Sequence, residues 1–94
     1  MVSFTAAPAE VLGQGGSAAG LARRLLDGAA VLLAFEQIGG AARALDMSRD
    51  YSLERKAFGR QIDGFQALKH KMADIYTRNE MDRVHAYYGA WALS

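Results

Sequence analysis

The chain has no cysteine, one proline and two histidines among its 94 residues. The absence of cysteine excludes a disulfide framework and a thiolate metal site. His70 and His85 do not have the short spacing of metal ligands on one helix, so we expect no metal site. The 11 basic and 10 acidic residues give a net charge of +1. A charge so close to zero gives no reason to expect binding to nucleic acid or to a charged membrane surface.

Long apolar runs are also missing. The longest strongly apolar run, residues 29–35, has seven residues, whereas a helix that crosses a membrane needs about 20. Residues 1–9 contain no lysine or arginine and therefore lack the basic start of a signal peptide. We expect a cytoplasmic protein without a membrane span.

Residues 1–16 differ in pattern from the rest of the chain. Residues 2–6 alternate between apolar and polar, as a short strand does, and Pro8 and a Gly-rich stretch at 13–16 follow. One such strand cannot form a sheet by itself. The sequence therefore predicts an extended segment and linker over residues 1–16.

A long helix is predicted over residues 18–57, which contain no proline, with Ser17 as its N-cap. Apolar and small residues at steps of three and four form its predicted contact stripe: Leu21, Leu25, Gly28, Leu32, Phe35, Gly39 and Ala42. Opposite charges three residues apart predict surface ion pairs: Arg24–Asp27, Arg43–Asp46 and Asp46–Arg49.

Residues 29–35 are apolar on every face of this helix, because seven residues cover nearly two turns. One antiparallel partner helix can cover only one of those faces. We expect the others to be buried by further chain, by a second copy of the chain, or by both. Small residues at 39–42 would allow another helix to approach closely.

A second helix is predicted over residues 64–93. Gly59 suits the left-handed position that ends the first helix, and Asp63 with Gln66 resembles a capping box that begins the second. A six-residue loop forces the two helices to lie antiparallel. The predicted stripe of the second helix is Phe65, Leu68, Met72, Ile75, Met81, Val84, Tyr88 and Trp91, with Asn79 as an interruption. Predicted pairs on its solvated side are Asp74–Arg78 and Arg78–Asp82.

The hinge between the helices concentrates groups that bind anions and stack on rings. Arg55 offers a rigid fork of donors suited to phosphate, Phe58 a ring face, and Gln66 an amide near a helix N-terminus. Together they fit a ligand with a phosphate and a ring, such as a nucleotide cofactor. The alternative is that Arg55 pairs with a surface acid, Phe58 packs within the hairpin and Gln66 only caps the helix.

This hinge resembles the helix-loop-helix of the acyl-CoA dehydrogenase C-terminal domain. The positions that carry the resemblance are Tyr51, Arg55, Phe58-Gly59-Arg60, Phe65-Gln66 and His70, and the likeness extends from near Asp27 to the end of the chain. It implies an all-α fold in which the two helices form half of an up-and-down four-helix bundle. Residues 1–16 would then be the end of a middle β-domain, and residues 17–94 part of the helical domain.

The resemblance also implies a function, the FAD-dependent α,β-desaturation of an acyl-CoA thioester. Arg55 would meet the FAD pyrophosphate, Phe58 would pack near the adenosine end and Gln66 would hydrogen-bond the cofactor. The FAD would be held mainly by a neighbouring subunit of a dimer or tetramer, and acyl-CoA by domains outside this chain. The glutamate base is expected outside the chain as well, since Ala29 stands where the resemblance would place such an acid near the start of the first helix, and Glu36 is interpreted as a structural or surface residue.

Two other functions remain open from the residues. The chain could be a non-catalytic helical element that completes a partner's flavin site or mediates oligomerisation. It could also be a plain helical hairpin whose hinge binds nothing.

Overall fold

The computed structural model describes residues 1–11 and 13–94, so the part of the predicted N-terminal segment at Leu12 lies outside the described residues. Helix α1 spans Ala18–Glu54 and helix α2 spans Gln66–Leu93. Between them lie two short strands, β1 (Lys56–Ala57) and β2 (Arg60–Gln61), and a 3₁₀ turn at Ile62–Gly64. The prediction of an all-α fold with two long helices is confirmed. The strand-like pattern of residues 2–6 does not form a strand.

The connection between the helices is a β-hairpin and not a plain loop. Lys56 pairs with Gln61 and Ala57 pairs with Arg60 in antiparallel register. The two residues of the turn, Phe58 and Gly59, have φ angles of +52° and +78°. Positive φ at both central residues is the type I′ geometry that suits the twist of a two-residue hairpin.

This hairpin corrects three predictions about the helix ends. Helix α1 ends at Glu54 and not at 57, because the chain turns extended at Arg55 to enter β1. Gly59 therefore does not terminate the helix but occupies the hairpin turn. Asp63 lies in the 3₁₀ turn, and Phe65 is the N-cap of α2 without a side-chain capping bond, so the predicted capping box does not form.

The two helices lie antiparallel, as predicted. The ring of Phe35 on α1 meets the ring of Tyr87 on α2 edge-on, with centroids 5.1 Å apart. A Cβ built on Gly89 would stand 3.4 Å from Cγ2 of Val31, so the backbones approach closely near that glycine. The contact face of α1 recurs at steps of four and three: Val31, Phe35, Ile38, Ala42 and Leu45 are all half-buried.

The predicted stripes identify the contact faces only in part. Leu21, Leu25 and Leu32 of the first stripe are 56%, 74% and 72% exposed, and Val84 and Trp91 of the second are 67% and 70% exposed. These exposed side chains are therefore not part of the contact between the two helices. The contact between the two helices is called the seam. On the side of α2 it is built from half-buried or buried residues that include Phe65, Leu68, Met72, Asn79 and Ala86.

The seam buries very little. Among the described residues, Ala86 at 6% exposure is the only buried apolar side chain, and no large side chain is fully buried. Two polar residues, Ser52 and Asn79, are also buried. The hydroxyl of Ser52 donates to the carbonyl of Arg49 at 2.7 Å, but the Nδ2 of Asn79 has no acceptor. A buried donor without a partner costs about 1–3 kcal/mol, so the isolated pair of helices is an incomplete core.

Helix α1 also contains an 18-residue window of mean hydropathy 1.3, none of which is buried within the chain. By length and composition it is apolar enough to cross a membrane, although its longest uninterrupted apolar run is short. A core helix of a larger helical protein has the same composition. The expectation of no membrane span therefore stays a prediction.

One of the predicted surface ion pairs is formed among the described residues. Asp46 and Arg49 pair at 3.7 Å as predicted, and Arg49 also pairs with Asp50 at 2.8 Å. The hydrogen bond to Asp50 and the charges of Asp50 and Asp46 raise the pKa of the Arg49 guanidinium. A pair at Glu80–Arg83 was not predicted. The other predicted pairs are not formed between described residues, since exposed long side chains gain little from such contacts.

Candidate cofactor site at the hinge

Arg55 stands where α1 passes into the hairpin. Its backbone N–H donates to the carbonyl of Tyr51 at 2.9 Å, the last bond of the helix, and its carbonyl accepts from the N–H of Ile62 at 2.9 Å. These two bonds tie the end of α1 to the start of the 3₁₀ turn. The position of the Arg55 backbone is therefore set from both sides, while its side chain extends into solvent.

Phe58 lies at the tip of the hairpin turn and is 96% exposed. Its ring meets the ring of Phe65 edge-on, with centroids 6.2 Å apart and an interplanar angle of 82°. The guanidinium carbon of Arg60 lies 4.1 Å from the centroid of the same Phe65 ring, a cation–π contact. Phe65 therefore contacts both neighbours, and the faces of the Phe58 ring stay open.

Gln66 is the first residue of α2 and is exposed. The N–H groups of Leu68 and Lys69 both donate to the carbonyl of Phe65, at 3.0 Å and 3.3 Å. Among the described residues, the N–H groups of Gln66 and Ala67 have no backbone acceptor, as is usual in the first turn of a helix. These free donors and the positive end of the helix dipole favour a negatively charged ligand here.

The structure thus brings all three predicted site residues to one end of the molecule. Arg55, Phe58 and Gln66 are all exposed, and they line neither the groove beside Asn79 nor the one beside Tyr76. The described residues also hold no group of three or more potential metal ligands. The hinge is therefore an open surface, and a ligand bound on it would need a second surface to cover it.

The residue that sequence reasoning missed here is Phe65. The sequence placed it in the apolar stripe of the second helix and among the positions of the resemblance, but its contacts with Arg60 and Phe58 were not predicted. Phe65 follows Arg60 by five residues, a separation that does not by itself predict a contact between the two side chains. Only the hairpin, which folds β2 back toward the start of α2, brings the guanidinium over the ring.

We expect Phe58→Gly to stabilise the chain, because a phenylalanine with φ of +52° is strained and its ring is almost fully exposed. The expected gain is about 1 kcal/mol, reduced by the greater flexibility of glycine in the unfolded chain. Thermal unfolding followed by circular dichroism measures it, with Phe4→Gly as a control at another exposed phenylalanine. A lower melting temperature for Phe58→Gly would show that the edge-on contact with Phe65 outweighs the strain.

The family model of the acyl-CoA dehydrogenase C-terminal domain matches residues 13–94. The chain belongs to the acyl-CoA dehydrogenase family. This confirms the resemblance drawn from the hinge residues.

Individual relatives agree with the family match. Acyl-CoA dehydrogenase IpdE2 of Mycolicibacterium smegmatis is 57% identical over 54 residues, which are 57% of this chain and 17% of the relative. The short-chain specific acyl-CoA dehydrogenase of Clostridium acetobutylicum is 36% identical over 81 residues, 86% of this chain and 21% of the relative. This acyl-CoA dehydrogenase chain thus spans about a fifth of the length of the curated relatives it matches. No solved structure matches it.

Proposed function

We propose that this acyl-CoA dehydrogenase chain supplies the hinge contacts to FAD in an enzyme that desaturates an acyl-CoA thioester between its α and β carbons. The observation that carries the proposal is the hinge itself. A cationic fork, an open aromatic face and the free N-terminus of α2 lie together around one hairpin, in a chain of this family. A dinucleotide presents the matching groups, two phosphates and a flat adenine ring.

Each hinge residue has a distinct role in this proposal. The Arg55 guanidinium holds the pyrophosphate with paired hydrogen bonds, and the dipole of α2 adds to the attraction. Phe58 offers a ring face to the adenine, which stacks without needing specific hydrogen bonds. Gln66 donates or accepts a hydrogen bond with the cofactor. The bound FAD would supply the hydride acceptor, and these residues orient it and balance its charge.

The proton-abstracting base comes from elsewhere in this proposal. Glu36 is exposed on α1 and stands 19 positions before Arg55. That separation is about 28 Å along a helix. No structural feature connects it to the hinge, so the base and the acyl-CoA pocket are assigned to other parts of the enzyme.

A neighbouring subunit covers the hinge in this proposal. Arg55, Phe58 and Gln66 are all exposed among the described residues, and Phe58 is 96% exposed. An interface between subunits would exclude water from the pyrophosphate and strengthen its contact with Arg55. The neighbour could be an identical or a different subunit, and the chain could belong to a dimer or a tetramer.

Titration of FAD against the chain and against Arg55→Ala tests the proposal, with flavin fluorescence as the readout. We expect weak saturable binding by the original chain and a loss of about tenfold or more in Arg55→Ala, since a charge-assisted pair with phosphate is removed. Arg24→Ala, an exposed arginine near the other end of α1, is the matched control and should bind as the original does. Equal and negligible binding by all three would favour a hairpin that binds nothing.

A second candidate is an assembly element without catalytic chemistry of its own. It is favoured by the large exposed apolar surface of the helices, which includes Leu25, Leu32, Val84 and Trp91. The coding sequence around the chain discriminates the two. A reading frame that continues beyond Ser94 into two amphipathic helices with a glutamate supports the dehydrogenase, and a stop at Ser94 supports the assembly element.

A further inference from the structure

Arg60 connects the hairpin to the start of α2. Its backbone pairs with Ala57 in the hairpin, while its side chain extends along the 3₁₀ turn. A Cβ built on Gly64 would stand 3.7 Å from Cδ and 3.9 Å from Nε of Arg60, an ordinary packing distance. The guanidinium carbon lies 4.1 Å from the ring centroid of Phe65, the N-cap of α2. One side chain thus spans β2, the turn and the helix start.

The Phe65 ring is the partner that holds this side chain. Between described residues, the ion pairs are made by Arg49 and Arg83, and Arg60 belongs to none of them. An exposed arginine loses rotamer freedom when it is fixed in one place, so its position needs a specific attraction. The face of an aromatic ring supplies one, because a guanidinium is planar and only weakly hydrated.

Phe65 in turn contacts the ring of Phe58. The two rings meet edge-on with centroids 6.2 Å apart, within the range of favourable aromatic pairs. Phe58 is 96% exposed, so this contact is the main restraint on the direction of its ring. Gln66 follows Phe65 directly and is the first residue of α2. A Phe65 ring held by Arg60 therefore sets where two of the three proposed cofactor contacts lie.

We propose that Arg60 is the positioning residue of the hinge, and that its contacts with Gly64 and Phe65 hold Phe58 and Gln66 in the arrangement that an adenine dinucleotide needs. The inference rests on the proposed function. A hairpin with two residue pairs is not stable by itself, and a ligand binds more tightly when its contacts are already in place. Arg60 acts through Phe65 and does not itself hold the ligand.

Nuclear magnetic resonance of the ligand-free chain, with label in its four phenylalanine rings, tests the positioning directly. Arg60→Met keeps the length of the side chain but removes the cation. We expect the ring signals of Phe58 to move toward those of Phe4, which is 82% exposed, because the ring current of its neighbour no longer acts from a fixed direction. The signals of Phe35, which lies on the seam, should not move. Arg60→Lys keeps a cation and should retain part of the original shift.

Titrations with ADP and with inorganic pyrophosphate test the consequence for binding. Phe65→Leu removes the ring but leaves the charge of Arg60, so we expect about threefold to tenfold weaker binding of ADP and unchanged binding of pyrophosphate. Arg60→Met should weaken ADP binding to a similar extent, and the double variant should lose no more than either single variant, since both changes break one contact. Gln61→Met, at an exposed residue of the same strand, should leave both affinities unchanged.

Three results would overturn the proposal. Phe58 signals that do not change in Arg60→Met would show that Arg60 does not position the ring. Additive losses in the double variant would mean that Arg60 contacts the ligand itself. Equal losses for ADP and pyrophosphate in Phe65→Leu would indicate a general collapse of the hinge. Absence of ADP binding by the original chain would instead count against the proposed function, and the phenylalanine signals would then decide the positioning role alone.

Discussion

We expect the replacement of Ala86 with aspartate to abolish the cooperative unfolding of the helix pair. Ala86 is the one apolar side chain buried among the described residues, at 6% exposure, and it lies on the seam opposite α1. A carboxylate at that position is desolvated without a cation to pair with. The expected loss is about 3 kcal/mol or more, a large share of the stability of any small domain.

Thermal and urea unfolding, both followed by circular dichroism, measure the effect of Ala86→Asp. Ala44→Asp is the matched control, since Ala44 is exposed within α1 and the same change carries the same helix-propensity cost of about 0.5–0.7 kcal/mol. We expect the control to unfold cooperatively with a slightly lower midpoint. Equal midpoints for the two variants would mean that the seam contributes nothing to stability.

Reversing the charge of Arg55 gives the largest expected change at the hinge. Arg55→Glu replaces the cationic fork by a carboxylate, which would repel the pyrophosphate that the proposed function places there. We expect FAD binding to fall by about 100-fold or more, below detection for a weak site. The backbone bonds of Arg55 to Tyr51 and Ile62 do not involve its side chain, so the hairpin should persist.

Isothermal titration of FAD measures this change, and two further variants control it. Arg24→Glu makes the same charge change near the far end of α1 and should leave FAD affinity unchanged. Arg55→Lys keeps the charge but loses the planar fork, so an intermediate affinity is expected. The assignment of Arg55 to the pyrophosphate would be wrong if Arg55→Glu bound FAD as the original does.

The hinge shows how far sequence reasoning reaches. The pattern of residues from Tyr51 to His70 was sufficient to predict the family and to place Arg55, Phe58 and Gln66 at one end of the molecule. The same stretch was misjudged in its backbone, because Gly59 suits both a helix end and a hairpin turn. Local propensity does not distinguish the two. The paired strands do, since Lys56 and Gln61 are hydrogen-bonded neighbours only in the folded chain.

The helix seam shows where sequence reasoning ends. Residues 29–35 are apolar on every side, so periodicity within them favours no face, and the stripe through Leu25 and Leu32 was as good a choice as the one through Val31 and Ile38. In the structure, Phe35 and Ala42 of the predicted stripe lie on the contact face, but Val31 and Ile38 accompany them and Leu25 and Leu32 do not. The reason lies on α2, where Ala86 and Gly89 are small enough for Val31 to approach, and a single-helix pattern contains no information about its partner.

The sequence by itself determined that the chain is helical, that its two helices turn back on each other, and that the hinge belongs to the acyl-CoA dehydrogenase family. These follow from local residue types and spacings, which are the same in the unfolded and the folded chain. Only the tertiary structure decided which helix faces meet, which ring contacts Arg60 and that the buried Nδ2 of Asn79 lacks a hydrogen-bond partner. Each of those depends on residues distant in sequence becoming neighbours, and that is a property of the packing between the helices.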